Sequence, residues 1–340
     1  MSSALICGVA AGRLLTGATA VAVALVSAAP QPALSMPVVP PTPDVAVGYV
    51  VARGPDQRPA TVPASRLAVL QMNLCSSGLA GCYAGGRSVP EAATVVGAER
   101  PDVVTLNEVC RGDGRVLLRA MERTWPGDRV FEAFTPAWDR RRQAPYRCAN
   151  GAQYGIEIMG HVPPGDRPGV GVRGGSYHVQ VADSDEARVW MCVSAGTYQV
   201  CTTHLAAESA GVALAQCHYL MDTAIPRAWT ALGGYAPTAV SGDLNLRYGG
   251  TPDVQDCVPT GWSRKGDGAL QHVMATNDMT VRSTRRISMR QTDHDAWLVT
   301  LDRGQRRPMT STRSRPGGTR ARRVAEEDGT SAVQHAESPK

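Results

Sequence analysis

Five places along the chain set polar side chains at the edge of a short apolar run, and the choice of side chains is not random. Asn73 closes "RLAVLQMN", Glu108 closes "PDVVTLNE", His204 follows "VCTT", Asp243 and Asn245 flank Leu244 after "TAVSG", and Asp293 with His294 precedes "AWLVTL". Taken singly, each has a structural explanation, since Asn and Asp favour turns and a histidine after a strand can fill a hydrogen-bonded niche. Taken together they form a chemical set. Carboxylates and amide oxygens are hard ligands suited to Mg²⁺ or Mn²⁺, and two histidines can move protons near neutral pH.

Such a set works only if the elements that carry it converge. Eight runs rich in β-branched and apolar residues read as strands: "RLAVLQMN", "PDVVTLNE", "GIEIMG", "ARVWMCVS", "YQVCTTHL", "TAVSGDLN", "QHVMAT" and "AWLVTL". Between them, "SVPEAATVVGAE", "RVLLRAMERTW" and "SAGVALAQCHYLMDTAI" carry apolar residues at three- and four-residue spacing, which predicts helices. Strands mixed with helices at these intervals predict two layers of sheet covered by helices.

The order of the polar strand ends resembles a known family. "QMNL", "LNEV", "TTHL", "SGDLNL" and "TDHDAWLV" are similar, in sequence and spacing, to the five signature segments of the endonuclease/exonuclease/phosphatase superfamily, across roughly residues 66–302. The resemblance implies an α/β fold, a four-layered sandwich of two packed mixed sheets flanked by helices, with the site where the strand ends meet. It implies that Glu108 is the main ligand of a Mg²⁺ (or Mn²⁺) ion, with Asn73 beside it and Asp293 completing the metal environment. It further implies that Asp243 orients or deprotonates the attacking water and that Asn245 holds a phosphate oxygen. His204 and His294 would flank the phosphorus, one helping to activate water and the other stabilising developing charge or protonating the leaving oxygen. An anionic phosphodiester requires such a mixture, because a site of carboxylates alone would repel it.

Two segments depart from the family pattern. Where relatives place an aspartate that holds a catalytic histidine, "ALQHVMAT" offers Gln271 and His272; a glutamine orients an imidazole without stabilising its protonated form, so the histidine should be a weaker base, or a carboxylate such as Asp267 or Asp278 must serve. In "YGIEIM", Ile156 stands where many relatives have an asparagine that contacts phosphate. The motif match leaves His272 without a role.

The remaining sequence sets the context. The start of the 340-residue chain reads as an export signal over 1–35, with Arg13, the apolar run "LLTGATAVAVALVSAA", and Ala33 and Ser35 at cleavage-site spacing. Residues 36–65 are a Pro-rich linker, 66–302 the catalytic domain, and 303–340 an Arg-rich tail of disordered composition. That tail holds nine Lys plus Arg against four Asp plus Glu, which equals the +5 of the whole chain. The basic balance therefore describes a cationic tail able to touch any polyanion and says nothing of the domain surface. Cys7 falls in the signal, leaving eight cysteines in an oxidising compartment. The sequence does not fix their connectivity, but pairing neighbours gives Cys75–Cys82 around one loop and Cys192–Cys201 around the hairpin signal "VSAGTYQV", then Cys110–Cys148 and Cys217–Cys257. No C-x-x-C supports the zinc alternative.

These readings converge on a secreted, extracellular, monomeric phosphodiesterase, with no transmembrane span in the mature chain and with DNA or RNA as the expected substrate. The alternatives are a phospholipid such as sphingomyelin, and a catalytically weak polyanion-binding protein that keeps the fold. A lipid substrate would be favoured by a long hydrophobic hairpin; none is visible, and aromatic residues are only 5% of the chain.

Overall fold

The apolar runs of the sequence become the interiors of two six-stranded sheets in a computed structural model that describes residues 66–162 and 170–304. The export signal with Cys7, the Pro-rich linker and the tail beyond 304 lie outside the described residues. The first sheet contains β1 (Arg66–Asn73), β2 (Val103–Cys110), β3 (Arg129–Pro136), β6 (Tyr154–Val162), β14 (Met279–Ile287) and β15 (Ala296–Arg303), in the order β14-β15-β1-β2-β6-β3. The second contains β7 (Val170–Ser176), β9 (Val189–Ala195), β10 (Tyr198–His204), β11 (Thr238–Asp243), β12 (Trp262–Gly266) and β13 (Gln271–Thr276), in the order β12-β13-β11-β10-β9-β7. Three two-residue strands, β4 (Trp138–Asp139), β5 (Ala144–Pro145) and β8 (Glu186–Ala187), make a small third sheet.

Burial on both faces explains why the interior strands lack alternation. One apolar cluster, including Val69, Phe131, Ile158, Met191, Val200 and Val299, fills the space between the two large sheets. The outer face of the first sheet is covered by α1 (Ser88–Glu99) and α2 (Gly114–Thr124), which pack Val96, Leu117 and Met121 onto Leu70, Leu106 and Met159. On the outer face of the second, α3 (Ala210–Tyr219) and α4 (Ile225–Ala231) pack Ala213, Cys217 and Ile225 onto Cys201, Val240 and Met274. The order helix, sheet, sheet, helix is the four-layered sandwich. A wide helical turn over Leu220–Ala224 joins α3 to α4 and absorbs Pro226, which has no N–H to give the preceding turn.

Edge strands are built differently. Most residues of β14 are exposed; Arg282 pairs with Asp302, Arg285 with Glu99 and Arg286 with Asp295. A charged edge resists addition of a foreign strand. Four disulfides join Cys75 to Cys82, Cys110 to Cys148, Cys192 to Cys201 and Cys217 to Cys257. Among the described residues no helix is long and apolar enough to cross a membrane.

Candidate active site

Strand direction brings the polar ends together. β1 runs parallel to β2 and β10 runs parallel to β11, so Asn73, Glu108, His204 and Asp243 all stand at carboxyl ends. β15 is antiparallel to β1, and the loop before it delivers Asp293 and His294 to the same edge.

Asn73 ties the two sheets at that edge. Its Nδ2 donates to Glu108 Oε1 at 2.9 Å and to Asp243 Oδ2 at 3.1 Å, while its Oδ1 accepts from the Cys75 N–H at 3.1 Å. The other oxygen of Asp243 accepts from the Asn245 N–H at 3.1 Å, so this carboxylate, 1% exposed, is held from both sides. His294 Nε2 lies 3.5 Å from Asp243 Oδ2 and 3.7 Å from Asp293 Oδ1. His204 Nε2 lies 3.9 Å from Glu108 Oε1 and 4.0 Å from Asp243 Oδ2. These spacings exceed hydrogen-bond length, so the imidazoles face the carboxylates across a gap.

Backbone strain aims two of these side chains. Glu108 has φ +54° where the β2–β6 ladder slips by a bulge between Leu106 and Val109, turning its carboxylate out of the strand's alternation. Ser76 fastens the distorted peptide by donating its N–H and its hydroxyl to the Glu108 carbonyl at 2.9 and 3.0 Å. Asn245 has φ +49°, a conformation asparagine tolerates better than most residues, and its Nδ2 donates to the Leu205 carbonyl at 2.9 Å.

Electrostatics show what the site can hold. Burial pushes the Glu108 carboxyl above its ordinary value; the Asn73 hydrogen bond and Arg188 pull it back, while Asp243 and Asp293 push it further up. Three carboxylates gathered in a half-buried edge repel one another unless a cation joins them, and their oxygens are the donors that Mg²⁺ or Mn²⁺ prefers. The residues therefore fit a hard divalent cation. The sulfurs of Cys75 and Cys82 lie near the Asp293 carboxylate but are spent in their disulfide, so they are not thiolate ligands.

The sequence reading missed Arg188 and Glu186. Arg188 Nη1 donates to His204 Nδ1 at 2.8 Å and to Glu186 Oε1 at 3.0 Å. An Nδ1 that accepts from a guanidinium has no hydrogen, so the neutral His204 ring carries its hydrogen on Nε2, facing the carboxylates. Burial, and after it Arg188 and His294, hold this imidazole well below the ordinary histidine range. Glu186 is pushed up to about 7, chiefly by burial. The signal was faint: an arginine at the start of "ARVWMCVS" reads as an exposed strand end, yet it is 7% exposed. Glu186, Arg188, Tyr146 and Tyr154 line one side of a cleft of about 560 Å³, and the Ser77–Cys82 loop walls another.

Gln271 stands opposite Asp243 in the β11–β13 register but reaches His294 only indirectly. Its Nε2 donates to the Asp295 carbonyl at 2.6 Å and to Asp267 Oδ2 at 3.3 Å, so it braces the backbone next to His294. Asp278 accepts from Thr276 and Tyr235 hydroxyls beyond the other end of β13. Among the described residues, Asp243 and Asp293 are the only carboxylates within 4.0 Å of His294. Ile156 is buried in the core between the sheets. His272 gains a role: its Nε2 donates to the Leu246 carbonyl at 2.8 Å, bracing the loop after Asn245.

Beneath the site, the space between the sheets is polar. Gln71 Nε2 donates to Asn107 Oδ1 at 2.6 Å, and the same oxygen accepts from the Asp243 N–H at 2.8 Å. Asn107 Nδ2 donates to the Thr203 carbonyl at 3.1 Å, and Thr105 Oγ1 donates to Ser241 Oγ at 2.9 Å. This seam stitches β1 and β2 to β10 and β11 directly below the strand ends.

No family model matches the sequence, and no curated protein matches it. Solved structures do. An endonuclease/exonuclease/phosphatase from Beutenbergia cavernae is similar at TM-score 0.50 and 19% identity, over 70% of this chain and 72% of that one. ANGEL2, a 2',3'-cyclic phosphatase, is similar at TM-score 0.49 and 13% identity, over 69% and 95% of the two chains. TDP2 from C. elegans gives TM-score 0.46 and 17% identity, over 70% and 75%. With its two sheets, covering helices and convergent strand ends, this chain has the endonuclease/exonuclease/phosphatase fold.

Proposed function

We propose that the chain is a secreted phosphodiesterase that uses a divalent cation, Mg²⁺ or Mn²⁺, to hydrolyse nucleic acid. The observation that carries this reading is Asp243 Oδ2, which takes the Asn73 amide at 3.1 Å and faces His294 at 3.5 Å and His204 at 4.0 Å. A buried carboxylate ringed by one amide and two imidazoles is arranged to hold water and phosphate oxygen together, which a structural salt bridge would not require.

Glu108, with Asp293, would hold the cation, and Asn73 would keep the two carboxylates of Glu108 and Asp243 apart in fixed orientation. A cation held there would supply positive charge to offset the negative charge that builds on phosphate oxygens during displacement. Asp243, with His294 alongside, accepts the proton of the attacking water. As the water oxygen bonds to phosphorus, the bond to the leaving oxygen breaks, and that oxygen keeps the electron pair and takes a proton from solvent. His204 acts from its Nε2–H as a neutral hydrogen-bond donor to a phosphate oxygen, because Arg188 occupies its other nitrogen. Asn245 steadies a second oxygen. The four disulfides support an oxidising destination, and the Arg-rich tail would add nonspecific attraction to a long polyanion.

The purified chain, given Mg²⁺ or Mn²⁺ with plasmid DNA, RNA, sphingomyelin vesicles or a soluble inositol phosphate, should cleave nucleic acid and stop when EDTA is added. Cleavage of lipid alone would overturn the substrate; no turnover of any of them would overturn catalysis in favour of a polyanion-binding protein.

A further inference from the structure

A rigid aromatic surface stands beside the site. Tyr248 is 67% exposed, the most exposed large apolar or aromatic side chain among the described residues. Its ring lies under the Arg264 guanidinium, whose central carbon is 4.3 Å from the ring centroid. Tyr248 follows Asn245 by three residues, a stretch that spans at most about 11 Å.

The pair is held in place from several directions. Arg264 Nη1 donates to His272 Nδ1 at 3.1 Å and its Nε to Gln255 Oε1 at 3.2 Å, while His272 fixes the Leu246 carbonyl. Gly249, at φ +70°, turns the loop so that its N–H reaches Asp253 Oδ2 at 3.0 Å. Asp253 in turn caps the short helical turn Val254–Cys257, which the Cys217–Cys257 disulfide ties to α3. A tyrosine that merely filled surface would need none of this bracing. With one ring face under a cation and much of its surface open, it is a preformed stacking platform that loses little side-chain freedom on binding.

We propose that Tyr248 and Arg264 form a base-stacking subsite for an unpaired nucleobase next to the scissile phosphodiester, so that the substrate is single-stranded nucleic acid. This rests on the phosphodiesterase reading of the neighbouring site. Every base offers a π-face, so the platform is tolerant of sequence, and Arg247 and Lys265, both exposed and adjacent to the pair in sequence, attract the backbone. A base within a duplex is already stacked and does not present its face.

The test is binding of a short labelled oligothymidylate against an abasic strand of equal length, with the full chain in EDTA. Both strands carry the same phosphates, so tail and backbone attraction cancel. The wild type should hold the base-containing strand about tenfold more tightly, Tyr248→Ala should lose that preference, and Tyr248→Trp should keep it. Equal affinity for the two strands, or a preference that survives Tyr248→Ala, overturns the subsite. Metal-dependent cleavage of bis(p-nitrophenyl) phosphate, which does not need the platform, reads the catalytic proposal separately. Cleavage without base preference sinks the subsite alone, and base preference without cleavage sinks the catalytic reading alone.

Discussion

Arg188 aims Nη1 at Nδ1 of His204 across 2.8 Å, and that bond decides which nitrogen of the imidazole carries its hydrogen. The ring is thereby a donor toward the carboxylates and a poor base. Its depressed value also has a direction in pH. Protonation is disfavoured in the folded state, so its contribution to stability is whole above the unfolded value of 6.5 and is lost as pH falls from there toward the folded one.

Replacing the guanidinium tests this directly. Arg188→Met should lower kcat by about 10–100-fold, as loss of a group that orients another does. The acid limb of the pH–rate profile should move upward, because a positive neighbour of His204 is gone while burial remains. An unchanged profile would refute the ionisation of His204 as the origin of that limb. Melting temperature must be followed in parallel, since the variant also strands Glu186.

Asp243→Asn keeps the shape and the contact with the Asn245 N–H but removes the proton acceptor. Turnover should fall by about 10²–10⁴-fold, far more than the modest drop in melting temperature expected from losing the Asn73 hydrogen bond at the second oxygen. Glu108→Gln should instead raise the Mg²⁺ concentration needed for half-maximal rate, and calorimetric Mg²⁺ titration should weaken in step. If Asp293→Asn weakens metal binding more than Glu108→Gln, the ligand assignment is wrong.

The eight apolar runs visible in the sequence are the eight interior strands of the two sheets, and the four strands that escaped notice, β3, β7, β12 and β14, are their edges. The reason is physical. An interior strand is covered on both faces and must be apolar throughout, whereas an edge strand such as "TVRSTRRI" is free to carry arginines. The metal and catalytic candidates were legible for the same reason, as polar residues interrupt otherwise apolar strand ends. Arg188 and Glu186 were not, because nothing in a linear reading separates a buried ion pair from an exposed one. Gln271 was visible as a departure, but its hold on the Asp295 carbonyl depends on a strand register that appears only in three dimensions.

Glu157 offers a stability prediction away from the site. Burial, with Glu132 and Asp113 nearby, raises its carboxyl well above the ordinary value of 4.5, and among the described residues its Oε2 is buried without a hydrogen-bond partner. A raised acid contributes stability that is present below the unfolded value and lost as pH rises through the folded one. Glu157→Gln should therefore gain on the wild type as pH rises above 4.5, by no more than about 1.4 kcal/mol per pH unit. Urea denaturation at mildly acid and mildly alkaline pH would show it; a pH-independent difference would refute a neutral buried carboxyl. Glu186 has the same sign over the window from 4.5 to about 7.

Of the disulfide sulfurs, Cys82 belongs to the half-buried residue that lines the cleft, while the cysteines of the other three bonds are at most 4% exposed. A mild reductant should open Cys75–Cys82 first, loosen the cleft wall and raise KM before kcat falls. Alkylation followed by mass analysis would identify the labelled pair. Labelling at Cys192 or Cys201 while Cys82 stays protected would contradict this order.

The polar seam under the strand ends has a consequence for how the molecule fails when heated. Many enzymes go cold before they melt, because a loosely attached catalytic loop frays while the body stays intact. Here Asn107 accepts the Asp243 amide and donates to Thr203, so the groups that would do the chemistry are pinned by the bonds that stop one sheet from sliding over the other. The half-life of activity on heating should thus track the half-life of the fold, and a substitution such as Asn107→Leu should shorten both together.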